Sequence, residues 1–310
     1  MFIEQAYKGK NDWWRFAITA GLTCGIFIIN FIMYFVLSKE DLDRAYDVMK
    51  EMPKSLSLVL NLLPFLILLA LLFFLVYFLH ERNILSLTTS RKKLSLKKIG
   101  FSAGLIIIIT LIGFGASYYI DSSTIVWNFH PIKFAILLVI SLLLFPFQIG
   151  FEEYLFRGYL MQQIGFFVKN RWFPLIVTSI IFGLFHSANP EVAEMGYGVM
   201  FFYIGTGLLL GIMTLMDESL ELSLGFHLGN NLMAALLITS DFSALQTDAV
   251  FKYSGKIDPT DSLNEMIISM VITYPIILFI LAKKYKWSNW KEKLSGKITI
   301  ETNLNQEQND

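Results

Sequence analysis

The sequence predicts an all-α, polytopic membrane helix bundle, and three observations carry the prediction. Apolar runs of the roughly 20 residues needed to cross a bilayer recur along the chain. The 310 residues are 55% hydrophobic, include 28 phenylalanines and are only 16% charged. Mean hydropathy is +0.57, well outside the range of soluble domains. Finally, the ionisable side chains within the runs gather in three short motifs.

The first run, Trp13–Leu37, is too long for a signal peptide and no small-residue cleavage site follows it, so it reads as an anchor. The second is Leu56–Phe78 and the third Ile99–Ile120. A fourth begins at Pro131 and reaches Phe147. Pro146 and Gly150 are expected to break or bend it before helix resumes over Glu152–Phe167. Trp172–His186, Tyr197–Met216, Leu222–Thr239 and Met266–Leu281 complete an expected set of about eight spans. Residues 1–12 then form an N-terminal segment and 13–282 the transmembrane domain, with its core near 131–240. Residues 283–310 form a polar tail, expected to be partly disordered after Gly296.

Lysine and arginine in the loops set orientation. Lys8, Lys10 and Arg15 precede the first run, and Arg82, Arg91, Lys92, Lys93, Lys97 and Lys98 fill one loop. Lys169 and Arg171 precede the fifth run, and Lys283 to Lys297 follow the last. With eight spans these all share one side, so both termini are expected in the cytoplasm and the protein in the cell membrane. The 38–54 loop, with four basic residues among five acids, is the weak point of that alternation. Cys24 is the single cysteine, which excludes an intrachain disulfide and a cysteine metal cluster. No basic, aromatic-interleaved face points to nucleic acid; the expected partners are the bilayer and a peptide or protein substrate within it.

Ionisable groups inside a membrane span are costly and mark function. The first motif is Phe151-Glu-Glu-Tyr-Leu-Phe-Arg157-Gly158. On a helix Glu153 and Arg157 share a face, four apart with the acid first. Glu152 lies about 100° round the helix, leaving it available for chemistry. The second motif places Phe182 and His186 four apart, and the third does the same for His227 and Asn231. Each has a plain structural reading. The acidic pair could be a salt bridge at a helix start or a proton-pathway element. His186 could be an interfacial histidine, as His80 and His130 are read at their apolar boundaries. His227 with Asn231 could be an interhelical hydrogen-bonding pair, worth about 0.6–2 kcal/mol. Together they offer a base, two imidazoles and an amide on separate helices.

In that order the three motifs resemble those of the CPBP intramembrane proteases, which include type II CAAX prenyl endopeptidases and the bacteriocin-processing, abortive-infection group. The likeness covers roughly Phe145 to Leu237. It implies a helical bundle whose polar cavity opens to the cytoplasmic side, and an endopeptidase acting near or within the membrane. Glu152 would activate water with help from His186. His227 and Asn231 would bind the water, a metal or the developing oxyanion, while Glu153, Arg157 and Phe182 support the motifs. Two readings of the cofactor stand: zinc held by Glu152, His186 and His227 with water in the fourth place, or a metal-free mechanism. The chief alternative function is a non-catalytic membrane immunity or scaffold protein; a transporter would call for inverted repeats and interrupted helix pairs, which the sequence lacks. One geometric tension follows. Counted from Arg171, His186 lies about 22 Å along its helix, whereas His227 lies near the start of its own.

Overall fold

The computed structural model describes residues 1–298 except 39, 42, 43, 45, 46, 49, 50, 242, 256 and 257. The tail expected to be disordered therefore falls largely outside the described residues. The chain is an all-α membrane bundle. In order, its main helices are α1 (Trp13–Val36), α2 (Lys54–Phe74), α3 (Leu96–Ile120), α4 (Pro131–Glu153), α5 (Met161–Val168), α6 (Trp172–Leu184), α7 (Val199–Asp217), α8 (Glu221–Leu236) and α9 (Pro259–Tyr285).

Six helices among the described residues are long and apolar enough to cross a bilayer, against the eight spans expected. The two that fall short are α6, with 13 residues, and α8, with 16. At 1.5 Å per residue they measure about 20 and 24 Å, less than the roughly 30 Å hydrocarbon core. These are the helices that bring in the second and third motifs. The expected break at Pro146 and Gly150 is also absent: α4 runs unbroken through both. A proline removes one N–H, and packed neighbours in a membrane absorb that loss; Pro64 and Pro275 likewise sit inside α2 and α9. Instead the helix widens to a π turn over Tyr154–Leu160, just past the acidic pair. Such turns recur at functional sites.

Small residues set the helix packing. A Cβ on Gly225 would lie 2.2 Å from the Ile99 carbonyl oxygen, and one on Gly229 2.7 Å from that of Ala103. This Gly-x-x-x-Gly face seats α8 on α3 and turns His227 and Asn231 towards α4. Gly207 likewise lets α7 approach α6, its Cβ position being 2.9 Å from the Ser179 carbonyl oxygen.

The two ends of the bundle differ. At one, Arg91 reaches Asp217 (3.3 Å) and also Glu221, while Lys98 binds Asp217 at 2.6 Å. Arg171 pairs with Glu4, and the Ile298 amide donates to the Lys169 carbonyl at 2.9 Å. The N-terminal segment, the 80–98 loop, the 169–171 turn and the segment after α9 thus converge. At the other end a small sheet forms, unforeseen because its strands are too short for a period to register. β1 (Ile125–Trp127) pairs antiparallel with β3 (Phe251–Tyr253), and β2 (Ile238–Thr239) pairs parallel with β3.

The α3–α8 contact is testable. Gly225→Leu must push Ile99 aside, and overpacking of this kind costs about 1–3 kcal/mol. It should lower the melting temperature in detergent, whereas Gly113→Leu, with nothing within 4 Å of its Cβ position, should not. Equal melting of the two variants would remove this close approach as the reason for the position of α8.

Candidate active site

The site begins with a buried charge. Glu153 and Arg157 are both fully buried, and Arg157 Nη1 donates to Glu153 Oε1 at 2.9 Å. The same Glu153 oxygen lies 2.9 Å from His227 Nδ1. Arg157 Nη2 donates to the Gly207 carbonyl at 3.1 Å, fastening the end of α4 to α7. Its guanidinium stands 4.4 Å over the Phe182 ring, a cation–π contact. Phe182 also meets His227 edge-on at 6.0 Å and His186 at 4.7 Å between ring centroids. One aromatic ring therefore touches a member of every motif.

Glu152 faces elsewhere. Gln148 Nε2 donates to its Oε1 at 3.0 Å. Its Oε2 lies 3.5 Å from His227 Nε2 and, buried, has no hydrogen-bond partner among the described residues. Asn231 reaches the same group through its amide, which donates to Gln148 Oε1 at 3.4 Å. His186 sits in the turn after α6. Its Nδ1 lies 2.7 Å from the Phe182 carbonyl oxygen, and its ring stacks on Tyr203 at 4.4 Å. Since a carbonyl can only accept, Nδ1 carries the hydrogen and Nε2 of the neutral ring is an acceptor. α6 stops at Leu184, and His186, in the turn that follows, lines the same cavity as Glu152 and His227.

Glu152, His186, His227 and Asn231 line one cavity of about 1180 Å³. Its other walls come from the second half of α1, the first half of α2, the start of α7, residues between Ser187 and Glu194, Asp241, and Ser243 to Gln246. No wall comes from the end where the basic loops converge, so the cavity opens at the sheet end. The resemblance implied an opening on the cytoplasmic side; in the fold the cavity lies away from the basic loops, with the Glu153–Arg157 pair below Glu152.

Residues 131–233 match the family model described as type II CAAX prenyl endopeptidase Rce1-like. That segment is similar to the Rce1-like family. Across 240 residues the chain is 26% identical to the uncharacterized protein YyaK of Bacillus subtilis (strain 168), covering 75% of this chain and 80% of that protein. No solved structure matches. The Rce1-like segment spans α4 to most of α8 and so holds all three motifs.

A zinc site would need three ligands from this donor set. Glu153 holds His227 Nδ1 and the Phe182 carbonyl holds His186 Nδ1, contacts that metal-ligating histidines also make and that leave each Nε2 available. Among the described residues no three His, Cys, Asp or Glu side chains are grouped so that they could hold a metal ion. As arranged, Glu152, His186 and His227 do not fit one.

Sequence reasoning missed Gln148 and Tyr203. Gln148 had a signal, standing four residues before Glu152 on the same helical face; Tyr203, in an apolar run, had none. His80, read as a boundary residue, is in fact fully buried, with its Nε2 3.0 Å from both Thr19 Oγ1 and the Tyr159 hydroxyl.

The two acids should separate on mutation. Glu153→Gln strands a buried guanidinium, which costs about 3–5 kcal/mol, so the melting temperature and the folded yield should fall. Glu152→Gln keeps the shape and the Gln148 contact and should melt like wild type. An unshifted Glu153→Gln variant would show that its pair with Arg157 holds nothing together.

Proposed function

We propose that this protein is an intramembrane endopeptidase that hydrolyses a peptide bond of a membrane-associated or lipidated peptide or protein, with Glu152 as general base. The observation that carries the reading is Glu152 Oε2: buried on the cavity wall, without a hydrogen-bond partner among the described residues and 3.5 Å from an imidazole. A carboxylate needs such a free oxygen to take a proton from water. The Rce1-like match supports the same reaction class.

In the proposed reaction Glu152 Oε2 removes a proton from water, whose oxygen attacks the carbonyl carbon. The neutral His186 ring, oriented by the Phe182 carbonyl, accepts the second hydrogen bond of that water. The carbonyl oxygen becomes an oxyanion, and the Asn231 amide is the donor available to it. His227 Nε2 donates as well when the ring is protonated between Glu152 and Glu153. Collapse of the intermediate breaks the C–N bond, and the proton held by Glu152 passes to the leaving amine. Glu153 does not react; it fixes His227 Nδ1 and balances Arg157.

The convergence of the basic loops at one end supports a multi-pass cell-membrane protein with both termini in the cytoplasm.

The decisive comparison is peptide mass spectrometry of membranes from cells carrying wild type or Glu152→Gln. Cleavage products present with wild type and lost in the variant are expected. Their absence with both, at equal protein levels, would favour a non-catalytic immunity or scaffold role instead. Metal dependence is read on the purified, active protein. Well under one zinc per chain and full activity in chelator are expected, with His186→Ala lowering the rate alone, by about 10²–10³-fold if the loss resembles that of one positioned polar group. Stoichiometric zinc whose removal abolishes activity would overturn the metal-free mechanism.

A further inference from the structure

The direction from which the cavity is entered is not given by the reaction, and here the fold is asymmetric. From Glu152 and Phe156 the walls run only towards Lys54, Ser187, Glu194 and Gln246. Below Glu152 the bundle is plugged by buried polar contacts. Arg82 Nε donates to Ser86 Oγ at 2.7 Å and its Nη2 to the Gln162 side chain, and His80 ties Thr19 to Tyr159. Beyond that plug lie the converged basic loops.

The mouth also carries a charge pattern. Among the described residues Asp47, Glu191, Glu194 and Asp241 line it together with Lys54, and Asp241 is paired with Lys252 at 2.9 Å. The Lys54 ammonium is turned to the Thr247 carbonyl at 3.2 Å. Glu191 Oε1 accepts from the Ala244 amide at 2.8 Å, while its Oε2 has no partner among the described residues. A low-dielectric cleft rimmed by one sign of charge concentrates ligands of the other.

We infer that the site is entered from the extracytoplasmic face, and that its substrate is an apolar peptide segment bearing lysine or arginine, presented from that side. The inference rests on the endopeptidase reading for what happens to the peptide, but not for where it enters. An arriving cationic segment meets the carboxylates of the mouth first. Its apolar residues then run between α1 and α2, where Phe27, Leu60 and Phe65 wall the cavity. The backbone reaches Glu152 at the far end.

The experiment uses the full chain in cells, with the buried Cys24 replaced by serine and one cysteine added. Ala234→Cys places the thiol inside the cavity, Glu194→Cys at its mouth and Lys92→Cys on the basic loop. A membrane-impermeant maleimide should label Ala234→Cys and Glu194→Cys on intact cells, and Lys92→Cys only after permeabilisation. A synthetic apolar peptide with two lysines should slow labelling of Ala234→Cys roughly tenfold, and its glutamate counterpart should not. Labelling of both cavity cysteines only after permeabilisation would overturn the entry side. Equal protection by the two peptides would overturn the charge preference. Should Ala234→Cys fold poorly, Glu194→Cys reports the side alone. Because labelling needs no turnover, absent cleavage with outside labelling sinks the peptidase reading and leaves the entry side standing.

Discussion

Everything in the site hangs on one carboxylate oxygen. Glu153 Oε1 accepts from Arg157 and meets His227 Nδ1, each at 2.9 Å, in a place no solvent reaches. A guanidinium in such surroundings is tolerable only if paired and hydrogen-bonded, and Arg157 obtains this from Glu153 and the Gly207 carbonyl. The consequence is mechanical. The acid belongs to α4, the carbonyl to α7 and the imidazole to α8, so one charge-balancing cluster fixes three helices relative to one another. Glu152, next in sequence, is thereby aimed into the cavity without taking part in the pairing.

The same constraint explains the uneven helix lengths. Polar groups at membrane depth must face protein or water, not lipid. Long apolar helices can supply the lipid-facing wall, as the six spans do, while a polar side chain at mid-depth has to face protein or the cavity. α6 stops at Leu184 and turns, so the His186 backbone is irregular only where it lines the cavity. α8 is short, and it is held by backbone contact with α3 through Gly225 and Gly229 together with apolar packing of Leu222, Phe226 and Ala235.

Much of this was legible in the sequence. The membrane class followed from composition, and the helical spacing of Glu153 with Arg157 gave the pair directly, because an i,i+4 relation survives even where the helix widens into a π turn. What was not legible depended on partners distant in sequence. Nothing local says that His227 shares Glu153, since the two are separated by 74 residues. Pro146 looked like a break because proline removes a donor, yet its neighbours decide whether the helix tolerates that. The count of eight spans is not matched at α6 and α8, where the helices are shorter than the apolar runs that suggested them. The opening of the cavity could not be read from the motifs at all, since they give the floor of the site and not its walls.

The site has a rigid half and a loosely held half, and the division has chemical sense. Glu153, Arg157, Phe182 and His227 are closely bonded, stacked and buried. On the other side, Asn230 donates to Asn231 at 3.3 Å and Asn231 to Gln148 at 3.4 Å, long for amide contacts. Weakly held donors are easily exchanged for new ones when a peptide carbonyl arrives. A base has to be fixed before the substrate comes, whereas an oxyanion donor gains from bonding more strongly to the transition state than to its resting neighbours. The short contacts around Glu153 and the long ones around Asn231 divide those two requirements between opposite sides of Glu152.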